Sequence, residues 1–177
     1  MSLKSINRRD SLKSLAALGA AGTLGGLSTL AQAQAPLTVG VIYVGPRDDF
    51  GYNQAQAQAA AELKKMPGIK VVEEENVPET AAVQKTMTGM IVQDGATLVI
   101  PTSYGYFDPH ILALAPKYPD VRFGHCGGLW TEGKHPKNVG SFFGYIDECQ
   151  YLNGVIAGHM SKSGKIGFVA AKPIPQV

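Results

Sequence analysis

Residues 36–177 predict an α/β fold in three layers, with a parallel sheet covered by helices on both faces. Two observations carry this expectation. Short apolar runs rich in Val and Ile alternate with longer segments built from Ala, Gln, Glu and Lys, and the repeat recurs about five times with short connections. Strands buried on both faces read as near-continuous apolar runs, and parallel neighbours need a crossover that is usually helical. At 45% hydrophobic and 17% charged residues, the chain is too apolar for low-complexity disorder.

The elements follow in order. Residues 37–44 are an apolar run between Pro36 and Gly45 and predict a buried strand. Residues 53–65 predict a helix that stops at Pro67-Gly68, and residues 69–74 a second strand. Residues 80–94 place Ala82, Val83, Thr86, Met87, Met90 and Ile91 on one helical face, and Gly95 ends them. Residues 97–102 predict a third strand. Residues 109–118 predict a helix with Pro at its first position and Pro119 just past its end. Residues 121–125 and 138–144 predict the fourth and fifth strands. A helix capped by Asp147 is expected to run to about Lys162, and residues 165–171 to open a sixth strand.

The N-terminal segment is different in kind. Lys4, Arg8, Arg9 and Lys13 face Asp10 alone, and they account for more than the whole chain's net charge of +2. The remainder is slightly acidic, which argues against a nucleic-acid-binding surface. A weakly apolar Ala/Gly/Leu run follows and ends in Ala31-Gln32-Ala33-Gln34-Ala35. Basic region, apolar region and small-residue cleavage pattern together describe a secretory leader over residues 1–35. The Arg8-Arg9 pair resembles a twin-arginine signal, which implies export through the twin-arginine translocase and a periplasmic mature chain. No cysteine stands near the cleavage site to carry a lipid anchor.

Ligands of parallel sheets sit outside the carboxyl ends of the strands. That singles out loops 45–53, 102–109 and 126–137. In the first, Asp49 can accept hydrogen bonds, Asn53 can donate and accept, and Tyr52 or Phe50 can stack on a flat ring. The same residues also describe a capped turn with surface acids and a core aromatic. The second loop carries Tyr104, Tyr106 and Phe107 with Thr102 and Ser103, and Asp108 is either a ligand contact or a helix cap. In the third, Trp130 is either a binding surface or a lid over the core.

Catalytic readings find little support. The chain has no Gly-x-Ser-x-Gly elbow, P-loop or His-Glu-x-x-His motif, and its four histidines show no metal-ligand spacing. His125 and Cys126 are adjacent on an expected strand, point to opposite faces and cannot act as a couple. Cys126 and Cys149 read as two buried thiols or, in an oxidising compartment, as a disulfide. No enzyme activity, cofactor or metal is expected.

Asp49-Phe50-Gly51-Tyr52-Asn53 resembles the Asp-x-Ser-Phe-Asn signature that follows the first strand in the basic membrane protein (Bmp, PnrA-like) family. Similarity continues through residues 102–108, 118–123, 138–141, 148–154 and 165–170. The family comprises substrate-binding proteins of ABC importers with a two-lobed type I periplasmic fold. The resemblance implies a flavodoxin-like strand order and a lobe over residues 36–163, with residues 164–177 as the first strand of a truncated second lobe. It also implies a purine nucleoside or nucleobase as ligand and an ABC permease as partner. Tyr52 would stack on the ring, and Asp49, Asn53 and Asp108 would be polar contacts. Gly51 departs from the family's Ser and Tyr52 from its Phe. A chain that stops after one lobe is expected to bind weakly and to leave apolar surface exposed at Phe142-Phe143 and around residues 166–169. The competing classes are a twin-arginine-exported oxidoreductase and a one-lobed flavodoxin-like interaction module.

Overall fold

The computed structural model describes residues 36–174, so the expected leader over residues 1–35 lies outside the described residues. Five strands form one sheet: β1 (Leu37–Ile42), β2 (Ile69–Glu74), β3 (Leu98–Pro101), β4 (Arg122–Cys126) and β5 (Val139–Phe142). All neighbours are parallel, in the order β2-β1-β3-β4-β5. The register runs Val39↔Val71 on one side of β1 and Val39↔Leu98 on the other. This is the flavodoxin-like order expected.

The helices between strands are α1 (Tyr52–Leu63), α2 (Ala81–Val92) and a run of short helical turns, α3 (Phe107–Ile111, Leu112–Leu114 and Ala115–Lys117). A single turn (Tyr104–Tyr106) precedes α3, and α4 (Ile146–Met160) follows β5. Gly68, at φ +76°, takes the left-handed turn after α1 that a side chain would resist. The Thr80 hydroxyl caps α2 by accepting from the Ala82 N–H at 3.3 Å. Asp108 is extended at φ −116° and ψ 124°, as the residue before a proline tends to be, so regular helix starts only at Pro109.

Alternation along β1 divides the core. Val39, Val41 and Tyr43 pack with Ala60 of α1 on one face. Ile42 points to the other, where Val83, Met87 and Met90 of α2 join Ile111 and Leu114 of α3, Val99 and Phe123.

Beyond β5 the packing stops. No residue of α4 is buried, although Tyr151, Leu152, Ile156 and Met160 are large and apolar. Phe142, Phe143, Ile166, Phe168 and Val169 are exposed, as expected. Three expectations need correction. Asp147 does not cap α4: Tyr145 occupies the cap without a side-chain bond, and Asp147 sits inside the first turn, where its charge complements the helix dipole. Residues 165–171 form no strand, because no neighbouring strand pairs with them among the described residues. Cys126 is buried but Cys149 is exposed on α4, and both thiols are free.

Candidate functional site

The buried polar residues Asn53, Thr102, Ser103 and His125 gather at the carboxyl ends of β1, β3 and β4. A buried polar group without a partner costs about 1–3 kcal/mol, so their bonds define what is fixed at this end of the sheet.

Loop 45–53 closes on Asp49. Its Oδ1 accepts from the N–H groups of Gly51 at 2.9 Å and Gln54 at 3.0 Å. Its Oδ2 accepts from the Asn53 N–H at 3.0 Å and the Asn53 side-chain amide at 2.8 Å. The Asn53 and Gln54 N–H groups belong to the first turn of α1 and lack intrahelical partners. The Gln54 N–H foremost, with the other three donors, holds the Asp49 carboxyl down at about 2. The Asn53 Oδ1 in turn accepts from the Gly45 N–H at 3.4 Å. Asp49 and Asn53 thus spend their hydrogen-bonding capacity mostly on the loop itself. Phe50 between them is 94% exposed and held at φ +54°, an unusual backbone for a bulky side chain.

The segment after β3 is held from three directions. From α1, the Tyr52 hydroxyl donates to the Thr102 carbonyl, and burial pushes that phenol well above its ordinary range. From β4, His125 Nε2 bonds the Ser103 carbonyl at 3.1 Å. From the β2–α2 connection, Glu79 Oε1 accepts from the Ser103 hydroxyl at 2.5 Å and the Gly105 N–H at 2.8 Å. The Lys172 ammonium pairs with the other Glu79 oxygen. Burial alone would raise the Glu79 carboxyl; bonds from Lys172, Ser103 and Gly105 outweigh it and lower it. Gly105 is needed for this approach, since a Cβ there would lie 2.5 Å from Glu79 Cδ.

The remaining candidates separate. Tyr104 is half-buried beside Gly105. Phe107 is a core residue, 3% exposed, whose ring lies 5.0 Å from His125 and 5.1 Å from His135. Asp108 is exposed, and its carboxylate has no hydrogen-bond or ion-pair partner among the described residues. Trp130 is half-buried against the larger core, with its Nε1–H donated to the Pro136 carbonyl at 3.1 Å. Tyr52 and the segment after β3 are therefore brought together, Trp130 stands on the adjoining loop, and Phe107 lies beneath. Glu79, His125, Ser141 and Lys172 were not expected; the one signal in the sequence was the pair of hydroxyls, Thr102 and Ser103, in a loop otherwise aromatic.

A depression of about 410 Å3 lies elsewhere, lined by Arg47, Asp48, Lys64, Glu73 and Glu75 near the edge strand β2. Arg47 pairs with Glu75 at 3.0 Å and Lys64 with Glu73, and Tyr43 donates to Glu73 at 2.8 Å. Arg47, Lys64, Glu73 and Glu75 thus pair among themselves, and none of Tyr52, Tyr104, Asp108 or Trp130 lines it. We take the strand ends as the site.

Residues 37–177 match the family model Bmp, described as ABC transporter substrate-binding protein PnrA-like. The chain belongs to this family. It is 38% identical over 153 residues to a purine-binding protein of Brucella abortus, covering 85% of this chain and 42% of that protein. It is 29% identical over 136 residues to a putative ABC transporter glucose-binding protein of Haloferax volcanii, covering 77% of this chain and 33% of the relative. A solved ABC transporter solute-binding protein from Aeropyrum pernix superposes with a TM-score of 0.56 at 26% identity, over 70% of this chain and 32% of its own. The chain thus spans less than half the length of each of these relatives. Among the described residues no helix is long and apolar enough to cross a membrane, and no cluster could hold a metal ion.

The Asp49 cradle predicts an acid limb. The carboxyl is at about 2 in the fold against 3.8 ordinarily, so its stabilisation is present above about pH 4 and lost as pH falls towards 2. Thermal scans should show Asp49→Ala melting below wild type near neutrality, with the gap closing over that acid window. A gap independent of pH would contradict the cradle.

Proposed function

We propose that this chain supplies a ligand-binding lobe of an ABC importer's solute-binding protein, that its solute is a purine nucleobase or nucleoside, and that it delivers the solute to a membrane permease. The observation that carries the reading is the rim at the carboxyl ends of β1 and β3. There the half-exposed Tyr52 ring is fixed by its own hydroxyl, beside the loop that bears the unpartnered Asp108 carboxylate. A flat, π-rich solute with N–H or hydroxyl donors suits such a pair: the ring face stacks and the carboxylate accepts. The purine-binding relative from Brucella supports the same class. Binding without turnover is the role assigned, and Tyr104 and Trp130 flank the rim as further contacts. Asp49 and Asn53 contribute by holding the loop that presents Tyr52.

Calorimetry with adenine, adenosine and inosine tests the reading, with glucose as the competing solute that the Haloferax relative suggests. Base stacking on an aromatic is worth about 1–3 kcal/mol, so Tyr52→Ala should weaken purine binding by about 5- to 150-fold. Tyr52→Phe keeps the ring and should retain most affinity. It should cost about 1–3 kcal/mol of stability, because the Thr102 carbonyl loses its donor. Purine binding unchanged by Tyr52→Ala, or glucose binding in place of purines, would overturn the assignment.

The proposal includes delivery to the periplasm through the twin-arginine translocase, on the strength of Arg8-Arg9 before a weakly apolar run. Replacing both arginines with lysine should leave the precursor in the cytoplasm; normal delivery of that variant would exclude the route.

A further inference from the structure

His125 is fully buried, lies under both loops of the rim and has no carboxylate against its ring. Its Nε2 faces the Ser103 carbonyl at 3.1 Å, and its Nδ1 faces the Ser141 hydroxyl at 3.2 Å. Ser141 Oγ also accepts from the Leu129 N–H at 3.0 Å. A carbonyl can only accept, so Nε2 carries the proton and Nδ1 offers a lone pair. The bonds then run in one direction: Leu129 N–H to Ser141 Oγ, Ser141 O–H to His125 Nδ1, and His125 Nε2–H to the Ser103 carbonyl. One end of this relay is the loop of Tyr104 and Asp108. The other is the loop of Trp130, one residue beyond Leu129.

We propose that His125 is a positioning residue: in its neutral form it fixes the loop of Tyr104 and Asp108 against the loop of Trp130, and protonation uncouples them. A proton on Nδ1 turns an acceptor into a donor. The Ser141 hydroxyl then loses its acceptor, and its oxygen is claimed by the new Nδ1–H in competition with the Leu129 N–H. A positive charge is left in a pocket walled by the Phe107 ring, 5.0 Å away, and by Gly127, where a Cβ would lie 2.3 Å from His125 Cε1. The titratable groups around the ring do not neutralise that charge. Glu79 is engaged by the Ser103 hydroxyl, Gly105 and Lys172; Cys126 is the next residue on β4; His135 lies across Phe107; and Tyr104 contributes backbone. Burial accordingly lowers the imidazole below its ordinary value of 6.5. The neutral relay stabilises the fold fully above that value, and the benefit is lost as pH falls below it.

That these loops hold a solute rests on the function proposed above; the coupling between them does not, and it is read without ligand. In the full chain, the ring nitrogens of His125, amide exchange at Leu129 and emission of Trp130, the single tryptophan, are followed from about pH 8 to about pH 4. Leu129 protection, referred to the intrinsic exchange rate at each pH, should fall about tenfold, and Trp130 emission should shift, along the same titration curve as the ring, the size set by one weakened hydrogen bond. His125→Gln retains one donor and one acceptor but does not titrate, so the protection of Leu129 relative to its intrinsic rate and the emission of Trp130 should stay constant over that range. The proposal is overturned if the ring titrates without moving either reporter, if both move alike in His125→Gln, or if the ring stays neutral until the whole chain unfolds. Should His125→Gln fail to fold by circular dichroism, the wild-type comparison of ring against reporters decides alone. Absence of purine binding would leave these readouts untouched, so the two readings fail separately.

Discussion

Four residues of backbone, Thr102 to Gly105, hold the site together. They leave the end of β3 with Thr102 and Ser103 buried, where a polar group must find a partner or cost about 1–3 kcal/mol. Tyr52 from α1, His125 from β4 and Glu79 from the β2–α2 connection supply those partners. Elements far apart in sequence are thereby pinned to one short segment. The ring of Tyr52 gains a fixed orientation as a by-product of satisfying a carbonyl, and Asp108, extended before the helix of α3, is exposed. The rim is therefore rigid for reasons of hydrogen bonding, before any solute is considered.

The packing supports the same end of the sheet. Alternation in β1 sends Val39, Val41 and Tyr43 to α1 and Ile42 to α2, so this central strand is clamped on both faces. Stability of the lobe rests on α1, α2, α3 and the five strands, since α4 and residues 165–170 add nothing to the buried core. The relatives matched are more than twice as long as the segment shared with them.

Much of the fold was legible in the sequence because its signals are local. Residues 69–74 form a strand with the expected bounds, and Val83, Met87 and Met90 are buried on the predicted face of α2. The strand order followed from family resemblance and not from periodicity. Failures occurred where the outcome depends on distant partners. Residues 165–171 have strand composition, but a strand exists only as part of a ladder, and none is offered among the described residues. Asp147 has the chemistry of a cap, yet α4 begins one residue earlier. At the site, Tyr52 stands where expected, but Phe107 turned inward to cover His125. Asp49 was weighed both as ligand contact and as capping residue, and its four donors show the capping role directly. Glu79, Lys172 and Ser141 carried no motif; their roles come from contacts across 12 to 93 positions of chain, which spacing does not encode.

The account places the solute at the carboxyl ends of β1, β3 and β4 and nowhere else on the lobe. Backbone amide shifts measured while adenosine is titrated into the protein test this most directly, because they register weak binding as well as tight. The account predicts shifts confined to loop 47–53, the segment 103–108 and the neighbourhood of Trp130. Shifts gathered around Lys64, Glu73 and Glu75, or along α4, would contradict it, as would a spectrum that adenosine leaves unchanged.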